Sequence, residues 1–418
     1  YQSARVSGKR PCIASATWAN NPTMNVPVLG MFRANVTELA NDLFEFLYQI
    51  FRGTGYTINT PQGIIDLQRG SGGDFGDAVF LGRTVNEYTS SNKERLPYYL
   101  RQIFNANGIS IFNPRGRSLE TIPEVSLCLG IMLLCIDYNN NAQNLLRISP
   151  TTLSTLTKWR DTAQAFAATN QELKLFISGW ANYHTNANWP REWPLLELLF
   201  TVITWIPFFQ DNPEGQVYLE VIARTIDEAS QISSYGSTIL FDQHYQNSVK
   251  DAIREIFVPI AEGDVAVNED IMPYVPKSYF PLMTVHQAKG LEFPLTIVDV
   301  GSDFRTNHHT QKRFRFPDQG DNVHFMESHI ANFSPVGQFR IQRNDRQRAF
   351  DDLRRLYYVA KSRAQNVLLL VGLTSQIRSG STIQNIAIGD CINGNRLYNF
   401  IPADQWPTNA SDNCVMLI

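Results

Sequence analysis

Apolar residues recur at helical spacing along Val36–Phe51 (VTELANDLFEFLYQIF), which predicts an amphipathic helix. Residues 1–30 lack such a period, are rich in Asn, Pro and Ser, and read as loop or as the remnant of an element begun upstream. A Gly-rich polar stretch follows the helix over residues 53–76. Residues 77–82 (DAVFLG) then read as a buried strand, ended by Arg83 and Thr84. An amphipathic helix over residues 93–106, with Gly108 as its C-cap, leads to a second strand at residues 109–112. Strand, helix and strand in this order make a βαβ unit of a parallel sheet.

A helix with a wide apolar face is predicted at residues 123–136 (PEVSLCLGIMLLCI), and beyond it the texture changes. Residues 138–271 show only helical patterns, with breaks near Ser149 and Pro150 and at 188–194 and 211–215. Trp159, Trp180, Trp189, Trp193 and Trp205 fall in this block and read as its core. Strand texture returns at 279–285 and 295–300. A long helix over 346–364 then leads into the apolar strand 367–372. The predicted class is α/β, a parallel-sheet domain with an all-helical domain inserted in it. The expected segments are 1–27 as a remnant, 28–137 and 272–380 as the two parts of the sheet domain, 138–271 as the insertion, and 381–418 as a C-terminal extension.

At 418 residues and 43% hydrophobic, the chain can bury more than one core. The net charge of -3 excludes a globally basic nucleic-acid binder, so any such contact must be a local patch. Cys12, Cys128, Cys135, Cys391 and Cys414 are odd in number and form no CxxC pair, which points to reduced thiols rather than a zinc ribbon or a disulfide frame. The apolar run at 195–209 is interrupted by Glu197, Thr201 and Thr204 and reads as a buried helix, not a membrane span. The expected location is cytoplasmic.

Chemistry concentrates in two segments. Residues 283–293 read MTVHQAKGLEF: a strand ends, Thr284, His286, Gln287, Lys289 and Glu292 crowd into one loop, and Gly290 lets backbone approach a ligand closely. Loops outside strand ends are where open α/β sheets bind ligands. Residues 352–364 read DLRRLYYVAKSRA, a helix packed on the sheet with Arg363 near its end. An arginine there either complements the helix dipole or reaches a phosphate, a role that suits an always-charged, bidentate donor.

Together the two segments closely resemble motifs V and VI of UvrD/Rep/PcrA-type superfamily 1 DNA helicases, in the family's order and spacing. Upstream, AVFLGRT, an amphipathic helix, NGI and NPRGRSLETIPEV are similar to the family's motif IVa region. The resemblance runs in patches from about residue 28 to about residue 375. It implies that the sheet domain is the second of two RecA-like domains and that the helical block is the mobile accessory domain. It further implies 3′ to 5′ translocation on single-stranded DNA driven by ATP, with unwinding at single-strand/duplex junctions in repair or replication. Arg363 would be the catalytic arginine at the γ-phosphate. Glu292 would bind the ribose of ATP, with Gly290 beside it. Thr284 and His286 would face the DNA strand, with Arg83 and Arg117 as further DNA candidates.

Departures from the family are as informative. No G-x-x-x-x-G-K-[ST] loop occurs; Gly8, Lys9 and Arg10 lack its first glycine and its hydroxyl residue. No Asp-Glu pair ends an apolar strand to hold Mg²⁺. Both are expected from an N-terminal RecA-like half, the chain's implied partner, and a chain that opens on Tyr1 is expected to be a piece of a longer one. Tyr1, Gln2 and Ser3 carry Gln where motif IV has arginine, and Lys361 and Ser362 replace the usual Leu and Thr of motif VI. RISPTT at 147–152 stands where relatives have a Gly-Ile-Gly turn. This piece by itself is expected to be inactive as an ATPase.

Two weaker groups remain open. His308, His309, His324 and His329 lie near one another, as metal ligands or as part of a polar loop over 305–334. Residues 312–316 (KRFRF) suit a strand-binding surface or an ordinary edge strand. The alternative to a helicase half is a non-catalytic DNA- or partner-binding module derived from one. A nuclease-fused helicase is a third reading, for which no carboxylate-rich signature appears.

Overall fold

The computed structural model describes residues 26–268, 271, 273–308, 333, 345–377, 385–389 and 397–418. The expectations for residues 1–25, for Cys391, for His309, His324 and His329, and for the basic-aromatic run 312–316 lie outside the described residues. Numbered along the chain, the strands are β1 (Leu29–Arg33), β2 (Tyr56–Thr60), β3 (Gly63–Leu67), β4 (Ala78–Gly82), β5 (Ile111–Phe112), β6 (Glu192–Pro194), β7 (Thr238–Leu240), β8 (Phe280–Thr284), β9 (Phe293–Gly301), β10 (Ala364–Leu373), β11 (Asn399–Pro402) and β12 (Cys414–Leu417). The chain divides into two compact units, Tyr1–Asn113 with Pro276–Ile418, and Pro114–Val275.

The first unit is built on an eight-stranded sheet in the order β11-β12-β1-β10-β9-β4-β8-β5. Every neighbouring pair in it is parallel. Alternate residues of each strand point to opposite faces. Ala78 and Phe80 join Leu295 and Ile297 in a core covered by helices Val36–Phe51 and Leu96–Ala106. Val79 and Leu81 join Met283 and Val298 in a second core, covered by helix Asp345–Lys361 through Ala349, Phe350, Leu353 and Ala360. Strands covered on both faces read as continuous apolar runs, which is why β4 and β8 are buried throughout. Helix Val36–Phe51 starts where Asn35 accepts the Glu38 N–H at 2.9 Å.

Three features of this unit go beyond what the sequence predicts. The Gly-rich stretch contains an antiparallel hairpin, β2 with β3. The segment expected to be loop ends in β1, a central strand of the sheet. The C-terminal extension, for which the sequence leaves open whether it is part of the domain or a tail, joins the sheet: β12 pairs with β1 (Leu29 with Met416, Gly30 with Leu417) and β11 forms the sheet edge.

In the second unit, helix Pro123–Ile136 crosses helix Pro150–Thr169 with backbone near backbone. A Cβ placed on Gly130 would lie 2.1 Å from the Trp159 carbonyl oxygen. That burial on all sides explains the helix's wide apolar face and puts it in the helical unit rather than in the sheet domain where the sequence places it. The unit boundaries accordingly fall at Asn113/Pro114 and Val275/Pro276 rather than at 137/138 and 271/272. Asp137 ends this helix by accepting the Ala142 and Gln143 N–H groups at 3.0 and 2.9 Å and by pairing with buried Arg160. Burial lowers the Arg160 guanidinium to about 10, against the pull of Asp137. Trp159 and Trp180 are fully buried, and Trp189 and Trp193 pack half-buried against Trp180. The block is not wholly helical: β6 and β7 form a two-stranded antiparallel ribbon, held by only three pairs. Among the described residues no helix is long and apolar enough to cross a membrane.

Candidate functional site

In a parallel sheet all strands begin at one edge and end at the other. β4 and β8 end together, with Gly82 paired to Thr284. β9 and β10 begin together, with Phe293 paired to Ala364. The connection 285–292 therefore runs the full height of the sheet, in fewer residues than the dozen or more that a parallel crossover usually takes. The residues expected to crowd one loop are divided between two edges.

The first part of the connection is a single helical turn with reciprocal caps. The Thr284 N–H donates to Gln287 Oε1 at 2.9 Å, and the Gln287 N–H donates to Thr284 Oγ1 at 3.2 Å. This is the Thr-x-x-Gln capping box. The Val285 N–H donates to the Gly82 carbonyl at 3.1 Å, and the Ala288 N–H to that of Thr284 at 3.2 Å. Thr284 is 5% exposed and Gln287 half-buried, so both polar side chains shape the turn, while His286 and Lys289 project into solvent. The turn closes at Gly290, whose φ of +87° disfavours any side chain. Beyond it Glu292 is exposed, with no hydrogen bond or ion pair among the described residues.

Arg363 lies at the same edge as Glu292, one residue before β10 as Glu292 is one before β9. It is half-buried, and each of its three nitrogens donates one hydrogen bond. Nε donates to the Val359 carbonyl at 3.1 Å, Nη1 to the Leu291 carbonyl at 3.1 Å, and Nη2 to Ser362 Oγ at 3.0 Å. The Arg363 carbonyl accepts the Phe293 N–H at 2.9 Å. All its acceptors are neutral, and no carboxylate is paired with the guanidinium among the described residues. Leu291 O thus links the arginine to the segment that carries Glu292.

At the other edge, Arg83 follows β4 and donates to the Thr306 carbonyl. It lines a small polar slot with Arg95, Asp299, Asp303 and Tyr357. Arg95 forms an ion pair with Asp303. Asp299 accepts the Gly301 and Ser302 N–H groups at 3.1 and 2.8 Å and the Ser302 hydroxyl. Burial pushes the Asp299 carboxyl above its ordinary range, and the Ser302 and Gly301 donors pull it part of the way back. Burial likewise raises the Tyr357 phenol, whose hydroxyl donates to Asn307 Oδ1 at 2.8 Å. This slot had no signal in the sequence, because its residues come from three separate segments. Arg117 belongs to the helical unit. His308 packs edge-on against Phe304. Among the described residues no three His, Cys, Asp or Glu side chains converge to hold a metal ion.

Residues 240–375 match the family model of the UvrD-like helicase C-terminal domain. Thr284, His286, Gly290, Glu292 and Arg363 all fall inside the match; Arg83 and Arg117 precede it. A segment of 93 residues is 31% identical to one component of the ATP-dependent helicase/nuclease of Bacillus cytotoxicus, covering 22% of this chain and 8% of that protein. The sheet unit, with its parallel strands layered between helices, agrees with a RecA-like fold, and residues 240–375 are similar to the UvrD-like helicase C-terminal domain.

Proposed function

We propose that this chain is the C-terminal motor half of an ATP-dependent DNA helicase that moves 3′ to 5′ on single-stranded DNA and separates duplexes at junctions, in the cytoplasm, for repair or replication. The observation that carries this reading is the connection 285–292, one short segment that serves both sheet edges. ATP is assigned to the edge of Gly290, Glu292 and Arg363. There Glu292 hydrogen-bonds the ribose, the bare Gly290 backbone leaves room for it, and Arg363 stabilises charge developing on the transferred phosphoryl group. To do so, Arg363 must turn Nη1 away from Leu291 O. The remaining phosphate contacts and the Mg²⁺ ligands are assigned to an N-terminal RecA-like half.

Single-stranded DNA is assigned to the opposite edge, where His286 and Arg83 face the strand. Thr284 acts there chiefly by capping the turn that presents His286. Arg117 is kept as a separate candidate on the helical unit. Without a phosphate loop, the 418-residue chain by itself does not turn over ATP. The test is a pair of substitutions in an enzyme that contains both halves. His286→Ala should weaken single-strand binding while leaving hydrolysis at saturating DNA near its normal rate. Arg363→Ala should do the reverse, and a single shared phenotype would remove the two-edge assignment.

A further inference from the structure

Lys361 stands where the resembling family has leucine, and the structure gives it a partner. Its ammonium lies 4.3 Å from the centroid of the Tyr398 ring and donates to the Tyr398 hydroxyl. Tyr398 opens the C-terminal strand pair. Its ring packs against Phe400, with centroids 6.3 Å apart, and Phe400 packs edge-on against Phe32 of β1 at 5.2 Å. Phe400 and Tyr398 also border the core beneath helix Asp345–Lys361. The ammonium sits at the hydroxyl end of the ring, so a charge-assisted hydrogen bond to that hydroxyl fixes its position. The last turn of the helix is thereby tied to the outer strands of the sheet.

Arg363 follows that turn directly. Its N–H donates to the Ala360 carbonyl at 3.2 Å, the Ser362 N–H donates to Tyr358 O at 3.0 Å, and its carbonyl holds Phe293 at the start of β9. The backbone that aims the guanidinium is pinned on the β9 side by these bonds and on the helix side by Lys361. We propose that Lys361 and Tyr398 are positioning residues for Arg363, and that the C-terminal strand pair serves the nucleotide edge by clamping the helix that delivers it. The inference rests on the assignment of Arg363 to ATP. Misplacing a group that must meet a transition state by about 1 Å can cost about a hundredfold, so a softened anchor should be visible in the rate.

The test has a structural arm and a kinetic arm. In the 418-residue chain, Tyr398→Ala and Lys361→Leu should speed hydrogen exchange at the amides of Arg363 and Phe293, without lowering the thermal midpoint of unfolding by more than about 2–4 °C. In the enzyme with both halves, each should lower kcat for ATP about tenfold while KM and single-strand affinity stay within about twofold. Lys361→Arg, which keeps a charged donor for the Tyr398 hydroxyl, should restore most of the rate, and the double variant should be no worse than either single one. Normal kcat in Tyr398→Ala and Lys361→Leu, alongside a collapsed kcat in Arg363→Ala, overturns the positioning role, whatever the exchange rates do. Normal kcat in Arg363→Ala instead overturns the assignment of Arg363 itself, and the positioning role falls with it.

Discussion

Replacing Arg363 by alanine separates a small structural effect from a large catalytic one. The structural effect follows from its three donated hydrogen bonds, to Val359 O, Leu291 O and Ser362 Oγ. Their acceptors are two carbonyls and a hydroxyl beside solvent, which water can satisfy once the guanidinium is gone. The side chain is only half-buried, so solvent screening discounts the ordinary worth of such bonds, and the total loss is about 1 kcal/mol. For a unit of this size that shifts the unfolding midpoint by about 2–4 °C. On the proposed assignment of Arg363 to ATP, the catalytic effect is the loss of one charge contact at the phosphoryl group, about 3–4 kcal/mol, or about a hundredfold or more in kcat. The assay is DNA-stimulated ATP hydrolysis by the enzyme with both halves, alongside thermal unfolding and fluorescence anisotropy with single-stranded DNA. Hydrolysis within about threefold of normal would refute the catalytic assignment. A midpoint lowered by 10 °C or more, on the order of several times the expected shift, would show that Arg363 is instead a structural keystone of the sheet edge.

Two further predictions concern the scaffold. Gly130→Ala should destabilise the helical unit by about 1–3 kcal/mol or more, because its Cβ would meet the backbone oxygen of Trp159 rather than a movable side chain; an unchanged unfolding midpoint would mean that the two helices do not cross at this point. Asp299→Asn should gain stability over the native protein as pH rises. The folded state holds this carboxyl above its ordinary value, so it favours the proton, and the native protein loses stability as pH climbs from below the ordinary aspartate range through the raised one. The difference in midpoint between variant and native protein should be larger at pH 8 than at pH 4, and a difference that shrinks with pH would reverse the sign of the argument.

The sequence by itself determined the elements whose period is long and regular. The helix Val36–Phe51, the buried strand β4 and the helix that ends beside Arg363 are each readable from apolar spacing, because burial against one surface imposes that spacing locally. MTVHQAKGLEF and RRLYYVAKSRA likewise placed the candidate chemistry on a strand-to-strand connection and a helix end. Only the tertiary structure decided the rest. β1, β11 and β12 are five residues or fewer, and the pairing of β1 with β12, which brings the C-terminal strand pair into the sheet, joins positions hundreds of residues apart, so no local pattern could announce it. Helix Pro123–Ile136 moved to the helical unit because apolarity on all sides says that a helix is buried but not against what. The division of Thr284, His286, Glu292 and Arg363 between two edges depended on register: Gly82 pairs with Thr284 at one end of the sheet and Phe293 with Ala364 at the other. Spacing along a chain counts residues, whereas which edge a side chain reaches is set by the strands that the chain runs beside.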